Sequence, residues 1–180
     1  ELSENTFKVN EEELMEYAKP FENVEVLKRK SEAAKQGVNR QHVTFAHYCE
    51  VPSDYIFVFN PCLPFITVDT IKKAFDYFQE NDHPSYTSVV KTGDWIFDSE
   101  GDPVTNTNPQ NLTTNKGVQF YKAAHAFHIV NKEFFCSKGY HWEFVKNDPH
   151  MVKIPEEECI DVDTEIEFEL AESLYLRRKS

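Results

Sequence analysis

Tyr55-Ile56-Phe57-Val58-Phe59 is followed by Asn60-Pro61-Cys62-Leu63-Pro64-Phe65-Ile66, and then by residues 67–80, Thr-Val-Asp-Thr-Ile-Lys-Lys-Ala-Phe-Asp-Tyr-Phe-Gln-Glu. The first five residues are apolar without interruption, which predicts a central parallel strand covered on both faces. Two prolines then break it, because neither could continue a hydrogen-bonded ladder. Thr67 is placed to cap a helix, and Val68, Ile71, Phe75 and Phe78 recur at helical spacing to form its inner face. Lys72, Lys73, Asp76 and Glu80 fall on the other side. Strand, breaker and helix in that order are the unit of an α/β protein.

The same alternation extends in both directions. Downstream, Tyr86 to Lys91 reads as a strand. Residues 94–117 are polar and rich in turn signals (Gly101-Asp102-Pro103, Asn108-Pro109), so they form an arm or long loop. A strand is expected from Gln119 to Val130, a short helix near Asn131 to Cys136, and a strand near Met151 to Ile154. Cys159-Ile160-Asp161-Val162-Asp163 then leads into a helix opened by a Thr164/Glu167 capping box, with Ile166, Leu170, Ala171 and Leu174 inward. Upstream, residues 39–50 look helical up to Val51-Pro52, and Val24, Val26 and Leu27 suggest a strand. A short helix begins at an Asn10 cap with Glu13 and runs to about Ala18, where Pro20 ends it. The pattern predicts one α/β domain over 1–180 with a doubly wound, mainly parallel sheet. Such sheets bind ligands beyond the carboxyl ends of their strands. Both the Asn60-Pro61 segment and the Asp161/Asp163 segment lie at such ends.

Composition narrows the function. A formal charge of −12 argues against a nucleic-acid binder, which would present a basic face. It leaves room for a nucleotide substrate, since a divalent ion can bridge carboxylates to phosphates. Cys49, Cys62, Cys136 and Cys159 are far apart in sequence and read as reduced thiols of a cytoplasmic protein. The histidines show no zinc-type spacing. No apolar run approaches a membrane span, and no signal peptide opens the chain, so no membrane partner is expected. Asn111-Leu112-Thr113 matches a glycosylation sequon, which without an export signal reads as coincidence.

Asp161 and Asp163 are the sharpest chemical feature. At i and i+2 on an extended segment their side chains share a face, about 7 Å apart at the Cα atoms. Converging carboxylate oxygens suit Mg²⁺ or Mn²⁺, either of which keeps waters and binds substrate phosphates. The competing structural reading puts Asp163 at a helix N-terminus, where the dipole favours it, and leaves Asp161 to solvent.

The stretch from Cys159 to Glu167, continuing to Ala171-Glu172, resembles the C-terminal signature of CMP-sialic acid synthetases (acylneuraminate cytidylyltransferases), whose I-D-[IV]-D-T aspartates hold the catalytic magnesium. Three weaker segments follow in matching order. Tyr55 to Ile66 looks like the family's strand ending in Q-P-T-S-P-L-R. Residues 24–32 are similar to V-E-V-x-x-R-P-x-E, and Lys122 to Ile129 resembles the R-P-N-G-A-I-Y-I strand that faces the sugar.

The resemblance implies a nucleotide-diphospho-sugar transferase-like fold. It also implies transfer of CMP from CTP to a sialic-acid-like nonulosonic acid, with Asp161 and Asp163 as metal ligands and catalytic groups. Arg29 maps near the nucleotide, where its fixed fork would suit phosphate or base oxygens. Asn60, Lys122, His128 and Phe144 map to the sugar side: Asn60 on a glutamine, Lys122 on the arginine meeting the carboxylate, His128 on a tyrosine, and Phe144 toward an N-acyl group. Residues 94–117 resemble the dimerisation arm, implying a homodimer.

Two departures bear on the sugar: Ala124-His125 replaces Asn-Gly, and Ile66 replaces an arginine. The family's phosphate-wrapping loop, A-R-x-G-S-K-x-x-P-x-K-N, has no counterpart here, so the natural polypeptide is expected to be longer. Three readings stand open on the sequence: a cytidylyltransferase, a cytidylyltransferase for another sugar acid, and a non-catalytic relative serving as a binding or dimerisation module.

Overall fold

The computed structural model describes residues 11–22, 24, 40–105, 108–110 and 119–179. Arg29 and most of the 24–32 segment lie outside them, as does part of the 94–117 arm. Helices α1 (Glu11–Ala18), α2 (Gln41–Thr44), α3 (Val68–Glu80), α4 (Lys132–Lys138) and α5 (Glu165–Lys179) alternate with strands β1 (Tyr55–Phe59), β2 (Ser85–Thr92), β3 (Phe120–Asn131) and β4 (His150–Lys153). The predicted 39–50 helix is two pieces, α2 and a 3-10 turn over Ala46–Glu50, broken at Phe45.

The strands form one sheet in the order β1-β3-β2-β4. β3 is antiparallel to both of its neighbours, and β2 and β4 are parallel. The sheet is therefore mixed, which corrects the mainly parallel, doubly wound expectation. The α3 crossover from β1 to β2 leaves one strand position between them. β3 enters that gap in reverse. β1, β2 and β4 still share a direction, so their carboxyl ends and the start of β3 meet on one side.

Burial also reassigns the centre. β1 is only half-buried, Phe59 is 43% exposed, and among the described residues β3 is its one sheet neighbour. The sealed strand is β2, buried from Ser85 through Val90 despite its serines and threonines. Ser88 explains why polarity is tolerated there. The pairing slips between Thr87↔His128 and Val89↔Ala123, so two steps along β2 answer five along β3. The Ser88 hydroxyl fills the gap, donating to the Phe127 carbonyl and accepting from the Phe127 N–H, both at 3.1 Å. At the crest of this bulge His125 takes a φ of 54°. That left-handed conformation suits glycine, the residue that the resembling family carries there.

Leu63, Ala74, Val90, Ala124, Ala126, Phe127 and Ile154 make the main core, and Tyr48, Val130 and Phe135 a second one. α3 starts as expected, with the Thr67 hydroxyl accepting from the Thr70 N–H. Its buried line is Thr70 and Ala74, however, while Val68 and Phe75 are 64% and 44% exposed. Likewise Ile166 and Leu170 of α5 are 71% and 58% exposed. That helix seats through Ala171, the half-buried Leu174, and Arg178, whose guanidinium lies 4.7 Å from the centre of the Phe65 ring. Its contact line is i, i+3, i+7, narrower than the apolar stripe predicted. The start of the arm is an open hairpin: Val104 N–H donates to the Ile96 carbonyl at 2.8 Å, around a turn in which Asp98 Oδ1 accepts from two backbone N–H groups.

Cys49 and Cys136 form a disulfide, with Cα atoms 5.8 Å apart and a sequence separation of 87. This corrects the reading of four reduced thiols. The two cysteines are distant along the chain, and only the packing of α4 on the 3-10 turn joins them. The cytoplasmic expectation loses the support it drew from them, since disulfides persist in oxidising compartments. Among the described residues no helix is long and apolar enough to cross a membrane. Under non-reducing denaturation, thiol titration is expected to find two free thiols, Cys62 and Cys159, instead of four. Closing so long a loop stabilises by up to about 4–5 kcal/mol in the chain-entropy picture, so reduction should lower Tm markedly. Four free thiols, or an unchanged Tm after reduction, would refute the bond.

Candidate active site

Two tethers bring the aspartates to the end of β1. The first is Glu158, in a 3-10 turn over Glu156–Glu158 and only 6% exposed. Its carboxylate accepts from the Thr67 N–H (3.1 Å), the Thr67 hydroxyl (2.9 Å) and the Thr70 hydroxyl (3.0 Å). A carboxylate at the N-terminus of α3 satisfies the Thr67 N–H, which has no partner within the helix, and matches the helix dipole. The second tether is a backbone bond from the Val162 N–H to the Cys62 carbonyl, at 3.0 Å. Cys62 is itself held by a turn in which its N–H donates to Asn60 Oδ1 at 3.0 Å.

Asp161 and Asp163 flank Val162, so they straddle the bond to Cys62. Cys62 Sγ and one carboxylate oxygen from each aspartate lie within 4.8 Å of one another, with Cys62 and Asp161 half-buried and Asp163 exposed. Burial pushes the Cys62 thiol pKa up, and the charges of Asp161 and then Asp163 add to the effect. Asp161 Oδ1 accepts from the adjacent Val162 N–H at 3.1 Å. The capping box forms as expected: Glu167 Oε2 accepts from the Thr164 N–H and hydroxyl, and also from the Asp163 N–H. These bonds, the Thr164 hydroxyl foremost, hold the Glu167 carboxyl below its usual pKa. The carboxylate pair fits a hard divalent ion, and the sulfur adds a softer donor.

Beside the pair a cleft of about 930 Å³ opens at the carboxyl end of β2. Lys122, from the start of β3, lines it with the 90–94 segment, Glu156, Glu157 and Ile160. Ile160 connects this cleft to Asp161. Lys122 faces Cys159, whose thiol is raised by burial and then by Glu158, with the Lys122 charge pulling the other way.

The remaining sequence candidates are placed differently. Asn60 has its side-chain oxygen engaged by the Cys62 N–H, the role of a turn residue at a strand end. His128 lies past the bulge from Lys122, with Nδ1 2.8 Å from the Thr87 hydroxyl and its ring 5.1 Å from Trp142 and 6.4 Å from His141. Phe144 is 80% exposed, edge-on to Trp142. Arg29 is outside the described residues. Residues not singled out from sequence are Cys62, Glu158, Ser88 and the His141–Trp142 pair. Glu158 sits in an acidic run with no local sign of burial, and Cys62 gains meaning only when a segment a hundred residues away docks on it.

No family model matches the sequence, and no curated protein matches it. Among solved structures it is similar to the crystal structure of 4-diphosphocytidyl-2C-methyl-D-erythritol synthase from Anaerococcus prevotii. The TM-score is 0.63 and the identity 12%, over 94% of this chain and 78% of that one. The chain shares its fold with that synthase. At this identity the likeness carries the fold alone.

The histidine cluster gives the molecule an acid-sensitive point. The pKa of His128 and His141 is lowered from 6.5 to about 4 each, by burial in both and, to a lesser extent, by the neighbouring His125 and His141 charges in His128. Between about pH 6.5 and pH 4 the unfolded chain therefore binds more protons than the folded one, and stability falls as pH falls through that window. Tm is expected to drop by about 5 °C or more from pH 7 to pH 5. His141→Phe should flatten the decline, and equal slopes for both proteins would show that these groups do not govern it.

Proposed function

We propose that this protein is a metal-dependent cytidylyltransferase that transfers CMP from CTP to a hydroxyl of a sialic-acid-like nonulosonic acid. The observation that carries this reading is the convergence of Asp161 and Asp163 at the shared carboxyl ends of the strands, beside a cleft that holds Lys122. The resemblance of residues 159–172 to the synthetase signature supports it. So does the fold shared with an enzyme named for a diphosphocytidyl product.

In this mechanism the sugar hydroxyl oxygen attacks the α-phosphorus of CTP in line. A new phosphorus–oxygen bond forms, the bond from the α-phosphorus to the bridging oxygen breaks, pyrophosphate leaves with that electron pair, and the hydroxyl proton passes to solvent. Asp161 and Asp163 hold the ion; when bound, Mg²⁺ or Mn²⁺ supplies neutralisation of phosphate charge. Lys122 fixes the acceptor by its carboxylate, as a point charge without the bidentate fork of arginine. Arg29 is assigned to the nucleotide. The acceptor acid itself is left open between sialic acid and its relatives, because Ala124-His125 and Ile66 alter the sugar side. A panel of sugar acids would rank them.

Asp161→Asn is expected to cut CMP-sugar formation at least about a hundredfold while leaving the circular dichroism spectrum unchanged. Lys122→Ala should raise KM for the acid about tenfold and leave KM for CTP little changed, the scale of one charged hydrogen bond. Undiminished turnover in Asp161→Asn would remove the aspartates from the mechanism. The non-catalytic alternative draws support from His128, which is packed among protein rings and not free toward a ligand. If CTP with Mg²⁺ fails to raise Tm, that alternative is preferred.

The arm supports a homodimer. Trp95, Ile96, Phe97 and Val104 are each 44–57% exposed on one short hairpin, an apolar surface of the kind that marks protein contacts. Light scattering should give twice the 21.0 kDa chain mass, reverting toward the monomer in a Trp95→Asp/Phe97→Asp double variant. A wild-type monomer would reject the dimer.

A further inference from the structure

The tethers that bring the aspartates together deliver a third donor, and it is not a carboxylate. Val162 docks on the Cys62 carbonyl, so the residues on either side of it, Asp161 and Asp163, flank the same cysteine. Both backbone polar groups of Cys62 are committed, its N–H to Asn60 and its carbonyl to Val162, which pins the residue from which the thiol projects. The three ligand atoms lie within 4.8 Å of one another. Donors around a tetrahedral ion, with bonds of about 2.0–2.3 Å, sit about 3.5 Å apart. Side-chain rotations close a difference of this size.

We propose that Cys62 is a third ligand to the divalent ion held by Asp161 and Asp163, and that its sulfur tilts the centre from Mg²⁺ toward a thiophilic, zinc-like ion. The inference rests on reading the aspartates as an ion-binding pair, and adds the residue that sets which ion they take. Mg²⁺ is hard and seldom accepts sulfur, whereas thiolate donors select zinc-like ions. A mixed set of one sulfur and two carboxylate oxygens leaves coordination positions open for phosphate oxygens or water. This is the arrangement a catalytic centre needs, in contrast to a closed structural one.

The test is optical and independent of turnover. Metal-stripped protein titrated with Cd²⁺ should develop a thiolate-to-metal charge-transfer band in the ultraviolet. The band should be absent in Cys62→Ser and in Cys62→Ala, and retained in Cys159→Ser, which removes the other free thiol. By calorimetry, Cys62→Ser should bind Cd²⁺ at least about tenfold more weakly, with Mg²⁺ affinity changed less than about twofold. Circular dichroism of both Cys62 variants separates loss of a ligand from loss of the fold. No band in the wild type, or one that survives in folded Cys62→Ser, overturns the proposal. In that case Mg²⁺-supported CMP-sugar formation would leave the catalytic reading intact. Full activity in Asp161→Asn would sink the catalytic reading whatever the band shows.

Discussion

The candidate site depends on one buried carboxylate. Glu158 is removed from water at the start of α3, where it accepts three hydrogen bonds from Thr67 and Thr70. An unpaired charge at that depth would cost several kcal/mol, so the turn over Glu156–Glu158 has one place to sit. That placement sets the path of residues 159–163 across the end of β1, and the Val162–Cys62 bond completes it. The two aspartates are thus positioned by neighbours that take no part in the chemistry. Their separation is fixed by the chain, and their direction by the tethers on either side.

The sequence made the elements legible and misjudged their neighbours. Thr67, Asn131 and Thr164 each open a helix where expected, because capping is local and needs only a hydroxyl or amide at the right offset. Sheet direction was misread because alternation of strands and helices normally implies parallel crossovers. The long connection between β2 and β3 instead returns the chain in reverse, so β3 runs antiparallel to both neighbours. The burial of β2 was hidden in Ser-Tyr-Thr-Ser-Val-Val, whose hydroxyls look like surface. Ser88 and Thr87 are buried because Phe127 and His128 supply their partners from β3, and no local rule reports a partner forty residues away. The inner faces of α3 and α5 were drawn too wide for a similar reason: apolar spacing shows where a helix could pack, and not how much of that stripe finds a neighbour.

The candidate site was legible to the extent that its chemistry is local. Asp161 and Asp163 share a face by the geometry of an extended segment alone, and the structure adds only their companion. Lys122 follows from the direction of β3: the strand enters at the carboxyl ends of β2 and β4, so its first residues belong to the cleft. His128, later on the same strand and past the Ser88 bulge, joins the histidine–tryptophan cluster instead. The bulge therefore decides which residues of one strand reach the cleft. His125, at its crest, carries the left-handed backbone that makes this turn of register possible.

Charge explains why the aspartate pair is the part of this acidic region left for a ligand. Six carboxylates fall between Glu156 and Glu165, with Glu167 just beyond. Glu158 is spent on α3, and Glu167 on the capping box and the Asp163 N–H. The hydrogen bonds to Glu167 favour its ionised form. Glu156 and Glu157 line the cleft opposite Lys122, where solvent screens them. Asp161 and Asp163 have no cation beside them among the described residues, and within 4.8 Å they meet each other and a thiol. Two like charges at that distance repel unless a counter-charge lies between them. The divalent ion proposed above would supply it in the space the three side chains enclose.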